Sequence, residues 1–185
     1  MTAPRRRGRR PSAGGERPVL DAPATRRAAF DLLARKAWSL RELTQRLERR
    51  GAPDEVARAV VADLQSRGYL DDEGFARWWA QARAEARRVG SVRLRQELLA
   101  KGVPRGLASA AVEAAFEEVP ELDRAMAAGR RRLTGLVRAG RGRVPARLAD
   151  YLLRRGYPPA VAARVVKTLL AGRPGADVLD GDASV

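Results

Sequence analysis

Arg49-Arg50-Gly51-Ala52-Pro53 recurs as Ala100-Lys101-Gly102-Val103-Pro104 and again as Arg154-Arg155-Gly156-Tyr157-Pro158, and this thrice-written turn decides the fold. The three glycines stand 51 and then 54 residues apart. Around each, the apolar positions keep register. Leu43/Leu47, Leu94/Leu98 and Leu148/Leu152 come before the glycine; Val56/Val60/Val61, Leu107/Ala111/Val112 and Val161/Val165/Val166 come after the proline. Leucines at i, i+4 mark the apolar stripe of a helix. Glycine stops that helix because it takes the left-handed conformation without a steric penalty. Proline then opens the next helix at its first turn, where no backbone donor is missed. Ser39, three residues before Glu42, reads as a capping box for the first helix of the first pair.

A further helix precedes each pair, over Thr25–Arg35, Asp72–Arg88 and Glu121–Arg138. The expected fold is therefore all-α: three tandem three-helix repeats at 25–70, 71–119 and 120–171. A unit of this size is expected to need its neighbours to cover its apolar face, which predicts an elongated, curved array. No segment carries a strand pattern. Residues 1–24 are rich in Arg, Gly and Pro and read as a disordered basic arm. Residues 172–185 read as a flexible acidic tail.

The 185 residues are 45% hydrophobic and 32% charged, a composition that supports a folded body. There is no cysteine and no histidine. That removes disulfides, thiolate and imidazole metal ligands, the cysteine nucleophile and the usual general base. The composition points to a protein that binds rather than an enzyme. No apolar run reaches the ~20 residues that span a bilayer, and no apolar stretch follows Arg5–Arg10, so neither a membrane span nor a secretory signal is expected. A cytoplasmic location is the expectation.

Net charge is +15, from 37 basic and 22 acidic side chains. All basic residues except Lys36, Lys101 and Lys167 are arginine, whose planar fork suits phosphate and carboxylate. Residues 1–20 carry +5, 21–70 carry +3, 71–119 carry 0, 120–171 carry +9 and 172–185 carry −2. A basic arm and a basic final third around a neutral middle are the footprint of a polyanion binder.

A second signature runs Tyr69-Leu70-Asp71-Asp72-x-x-Phe75-Ala76, then Arg83, Gly90, Leu94-Arg95-Gln96-Glu97-Leu98 and Lys101-Gly102. With Ala29 to Leu33, Ser39-x-x-Glu42-Leu43 and Leu47, it resembles the RecX family, bacterial regulators of the recombinase RecA. The resemblance covers about 25–171, and is strongest in the middle unit and weakest in the third. It implies an array of three-helix repeats that binds the RecA–single-stranded DNA filament along its groove. It also implies that this binding limits filament growth and suppresses ATP hydrolysis and strand exchange, as a monomer without cofactor or metal. The Arg-rich arm and the unusually basic third unit depart from the family pattern.

The candidate contacts follow from charge and from the resemblance. In the third unit, Arg130, Arg131, Arg132, Arg138, Arg141, Arg143, Arg154 and Arg155 crowd a segment where only Glu121, Asp123 and Asp150 oppose 12 basic residues. That excess favours phosphate contact over a merely solvated face, and such contacts position without reading sequence. In the second unit, Arg83, Arg87, Arg88, Arg93, Arg95 and Lys101 either line a basic groove, as the resemblance implies, or pair along helices with Glu85 and Glu97. Tyr69, Leu70, Asp71, Asp72, Phe75, Gly90 and Gly102 read as partly structural: Asp72 is placed to N-cap the following helix. Phe75, Trp78 and Trp79 are expected at the seam between units, with one tryptophan left outside.

Two alternatives stand beside the filament regulator. One is a helix-turn-helix regulator, since each repeat has a helix–glycine turn–helix. Its second helices, however, open with Pro53-Asp54-Glu55, Pro104-Arg105-Gly106 and Pro158-Pro159-Ala160, which are poor readers of base edges. The other is a helical repeat that binds DNA of any sequence. The Asp71-Asp72-Glu73 cluster is what a helix start calls for, and no phosphate-binding loop of the G-x-x-x-x-G-K-[ST] kind is present.

Overall fold

A computed structural model describes residues 19–139 and 142–171. Within them are nine helices and no strand: α1 (Ala22–Leu33), α2 (Leu40–Glu48), α3 (Asp54–Ser66), α4 (Asp72–Arg87), α5 (Ser91–Ala100), α6 (Arg105–Ala114), α7 (Glu121–Arg138), α8 (Val144–Arg154) and α9 (Pro159–Leu170). They pack in threes. α1 begins three residues before the expected Thr25, because Asp21 caps it by accepting from the Ala24 N–H and Pro23 supplies its first turn. Residues 1–18 of the expected arm and the whole expected tail lie outside the described residues.

The repeated turn works as its composition dictates. Gly51, Gly102 and Gly156 take φ of 102°, 85° and 83° and end α2, α5 and α8. Pro53, Pro104 and Pro158 sit one residue earlier than expected, as the N-cap residues of α3, α6 and α9. The leucine pairs Leu43/Leu47, Leu94/Leu98 and Leu148/Leu152 are all fully buried.

Each unit closes its own core, which corrects the expectation that the units depend on a shared one. Buried apolar side chains fall into three clusters, one in each of α1–α3, α4–α6 and α7–α9. In each, three amphipathic helices meet around the leucine pair. Hydrogen bonds join each unit to the next, with an ion pair between the first and second.

Those polar joints repeat. At the first, the Leu40 N–H at the start of α2 donates to Asp72 Oδ1 at 2.9 Å, and Ser39 Oγ donates to the carbonyl of Lys101 at 2.6 Å. At the second, the Ser91 N–H at the start of α5 donates to Glu121 Oε1 at 2.7 Å. Beside it, the Gly90 and Val92 N–H groups donate to the carbonyls of Arg155 and Gly156 at 2.9 and 3.0 Å. In both joints the first residue of the next unit's opening helix, Asp72 or Glu121, accepts from the open N-terminus of the preceding unit's middle helix. The next unit's glycine turn offers a carbonyl beside it.

Asp72 thus caps α2 of the preceding unit, not α4 as expected. Asp71 caps α4 instead, accepting from the N–H groups of Glu73 and Gly74 at 2.9 and 2.8 Å. With the cap position filled, the Asp72 side chain turns back into the joint and is buried there. Burial pushes its carboxyl up, the Leu40 N–H opposes that shift, and the Asp71 charge adds to it. Ser39 caps α2 through the Glu42 N–H, while the Glu42 carboxylate pairs with Lys101 at 2.7 Å rather than folding back on Ser39.

Candidate functional site

The joint between the second and third units opens into a cleft of about 500 Å³ lined by Arg83, Arg88, Arg93, Arg154 and Arg155, with Tyr151 beside them. These arginines come from positions up to 72 residues apart, and the joint brings the two sequence clusters onto one surface. The local physics that aims them is legible. α4 ends at Arg88, whose backbone is left-handed at φ 49°, so the chain turns sharply and the arginine stands at the cleft wall. The Arg88 carbonyl accepts from the Tyr157 hydroxyl at 3.0 Å and from Arg155 Nη1 at 3.5 Å. Arg93 Nη1 donates to the carbonyl of Arg154 at 3.2 Å.

Glu97 organises two of the cleft's arginines. It accepts from Nε and Nη2 of Arg83, from Arg93 Nε at 3.2 Å and from the Trp79 indole at 3.3 Å. Burial pushes its carboxyl up, but the hydrogen bonds from Arg83 and Arg93, the Arg83 charge and the indole outweigh this, so it ionises below the ordinary carboxylate range. Arg83 is therefore held inside the unit, tying α4 to α5. Lys101 is likewise engaged: it pairs with Glu42 across the first joint and lies over the Trp79 ring at 4.0 Å.

On the third unit, Tyr151 carries Arg155 at 4.9 Å and Arg132 at 5.6 Å from its ring centre. Arg132 thereby extends the cleft onto α7. Successive helix residues are ~100° apart, so Arg130 and Arg131 point elsewhere, and Arg131 shares its face with Arg138 seven residues on. Arg130, Arg131, Arg138, Arg143 and Arg154 are exposed, and Arg95 is half-buried. Arg141 and the side chain of Arg87 lie outside the described residues.

The signature residues divide between cores and joints. Leu70 is buried in the first unit and Phe75 in the second. A side chain at Gly90 would run into the Gly156–Tyr157 backbone, and one at Gly102 into Arg41. Trp79 is packed against the second core, whereas Trp78 is 56% exposed and Tyr69 meets Phe30 edge-on at the surface. The tryptophans therefore do not form the seam between units, since each unit fills its own core. Tyr151 and Glu97 were not singled out as site residues in the sequence. The spacing Tyr151, Arg154, Arg155 at i, i+3, i+4 was the available signal.

Among the described residues no group of three acidic side chains is placed to hold a metal ion, and no helix is long and apolar enough to cross a membrane. Fold and cleft together define a tandem three-helix-repeat protein with an arginine-walled joint. Two family descriptions match it: "RecX, first three-helix domain" over residues 26–64 and "RecX, second three-helix domain" over residues 71–112. The regulatory protein RecX of Halorhodospira halophila is 40% identical over 134 residues, covering 72% of this chain and 81% of that one. That of Pseudomonas syringae pv. tomato is 36% identical over 162 residues, covering 86% and 98%. The crystal structure of RecX from Lactobacillus salivarius aligns with a TM-score of 0.70 at 13% identity over 80% of this chain and 96% of that one, a likeness of fold. The chain belongs to the RecX family of regulatory proteins.

Proposed function

We propose that this protein regulates the recombinase RecA by binding its filament on single-stranded DNA, and that binding lowers ATP hydrolysis, filament extension and strand exchange. The observation that carries the reading is the convergence of arginines from two units on one open joint. A row of units with such a wall matches a long, repeating polyanionic partner rather than a small substrate. Arg132 of α7 and Arg154 of α8, both exposed, supply phosphate contacts, while the less basic first unit and the exposed Trp78 and Tyr69 face protein. Phosphate contacts of this kind hold register without sequence preference.

The test is ATP hydrolysis by the cognate recombinase on single-stranded DNA, with this protein added well below one-to-one. Suppression at such ratios supports capping or groove blocking of the filament. No effect at saturating amounts removes the recombinase from the reading. The arginine cleft favours one second reading, a helical repeat that binds DNA of any sequence. Competition with scrambled DNA separates that from a helix-turn-helix reader.

A further inference from the structure

We propose that the cleft between the second and third units is a site for a run of adjacent phosphate groups, and that its occupant locks the joint between those units. The inference deepens the filament reading and rests on it only for where the phosphates come from.

Backbone conformation is the first support. Among the described residues, the two non-glycine residues with positive φ are both arginines, Arg88 at 49° and Arg143 at 63°. Left-handed backbone disfavours any residue with a Cβ, and glycine would fill these positions without strain. Arg88, which lines the cleft, thus keeps a side chain at a steric cost, the pattern of a residue kept for contact.

Charge balance is the second. Arg83 and Arg93 of the cleft already share one carboxylate, Glu97. Neither Arg88 nor Arg154 has a carboxylate within ion-pair reach among the described residues. Tyr151 carries guanidinium groups against its ring rather than offering an open stacking face. The cleft therefore suits phosphate oxygens rather than bases.

Third, the cations of the cleft are also ties of the joint. Arg93 bonds the Arg154 carbonyl and Arg155 bonds the Arg88 carbonyl, each from one unit to the other. An anion bridging both walls binds best to the joined geometry, so occupancy must stiffen the joint by linkage. The first joint lacks this property. Its Lys101 is 16% exposed, paired with Glu42 and covered by Trp79.

The chain has no cysteine, so introduced pairs can be spin-labelled cleanly. Ala110→Cys with Ala163→Cys spans the second and third units, and Ala62→Cys with Ala110→Cys spans the first and second; all three positions are exposed. Distance distributions are recorded on the full chain alone, with inorganic tripolyphosphate, and with a 20-nucleotide thymidine oligomer. The second–third distribution is expected to narrow and the first–second to stay unchanged. Narrowing by the oligomer assigns the phosphates to a strand; narrowing by tripolyphosphate alone assigns them to a free polyanion. Arg154→Gln, which keeps the joint's carbonyl, should lose the response. Arg88→Gly should bind several-fold more weakly while its Tm holds or rises, since glycine fits that backbone. Failure of both probes to bind at low salt, binding of both with neither distribution altered, or equal narrowing at both joints overturns the proposal. No recombinase is present, so this result and the ATP hydrolysis result can fail independently.

Discussion

Tyr157 reaches across the second joint to donate its hydroxyl to the Arg88 carbonyl at 3.0 Å, 69 residues away in the chain. It is 1% exposed, and burial pushes its phenol up to about 12, with Arg155 and Arg124 opposing and Glu121 and Tyr151 adding. The neutral phenol is therefore the folded form. Stability from Tyr157 is complete below its ordinary pKa of 10 and is lost as pH rises towards about 12. In a titration followed at 295 nm, one of the three tyrosines should ionise only near pH 12. Tyr157→Phe should remove that late step and cost about 1 kcal/mol, the net value of a typical hydrogen bond, read as a lower Tm.

The joint glycines can be separated from glycines that only turn the chain. Gly68 is left-handed at φ 77° with open space where a Cβ would stand, whereas Gly156, at φ 83°, faces the Arg93 backbone and Cβ. Gly68→Ala should cost the conformational penalty alone, roughly 1–2 kcal/mol. Gly156→Ala should cost more, because the units must also move apart. Urea unfolding of both variants checks the order.

Asp72 and Glu97 should respond to pH in opposite senses. Asp72 titrates above its ordinary 3.8, so its contribution is greatest below that value and is lost as pH rises through the folded pKa. Asp72→Asn keeps an oxygen for the Leu40 N–H and removes the buried charge, so its Tm at pH 7 should match or exceed that of the native chain. Glu97 titrates below its ordinary 4.5, so its contribution is present above that value and fades as pH falls through the folded pKa. Glu97→Gln should lose about 1.5–3 kcal/mol at pH 7, the range for hydrogen bonds to a charged group. Its deficit against the native chain should shrink as pH falls from 4.5 through the lowered folded pKa, where the carboxylate itself takes up a proton. Melting curves from pH 3 to 8 test both.

Salt dependence should sort the arginines by face. Each phosphate contact to single-stranded nucleic acid adds about 0.7 to the slope of log affinity against log salt. Arg132→Gln and Arg154→Gln should each lower the slope by about that amount, because both stand at the cleft. Arg131→Gln, on another face of α7, should leave the cleft's share unchanged. Equal losses from Arg131 and Arg132 would mean that charge, not the cleft, sets the contact.

The helices and their stops were legible in the sequence because they depend on neighbours within a turn or two. Leu43 with Leu47, Ser39 with the Glu42 N–H, and Gly51 before Pro53 act through local backbone geometry, and the same physics wrote the turn three times. The excess of arginine in the third unit was equally plain. What no periodicity could reveal is which partner a side chain finds 30 to 70 residues away. Tertiary structure sent Asp72 back to Leu40, left the cap of α4 to Asp71, and turned Trp79 inward and Trp78 out. It engaged Arg83 and Lys101 with Glu97 and Glu42, and it brought Arg88 and Arg93 to Arg154 and Arg155. The contacts that cross a joint turn on how one folded unit seats against the next. Each unit buries its own leucines, so that seating rests on a few polar contacts between open helix ends, carbonyls and carboxylates.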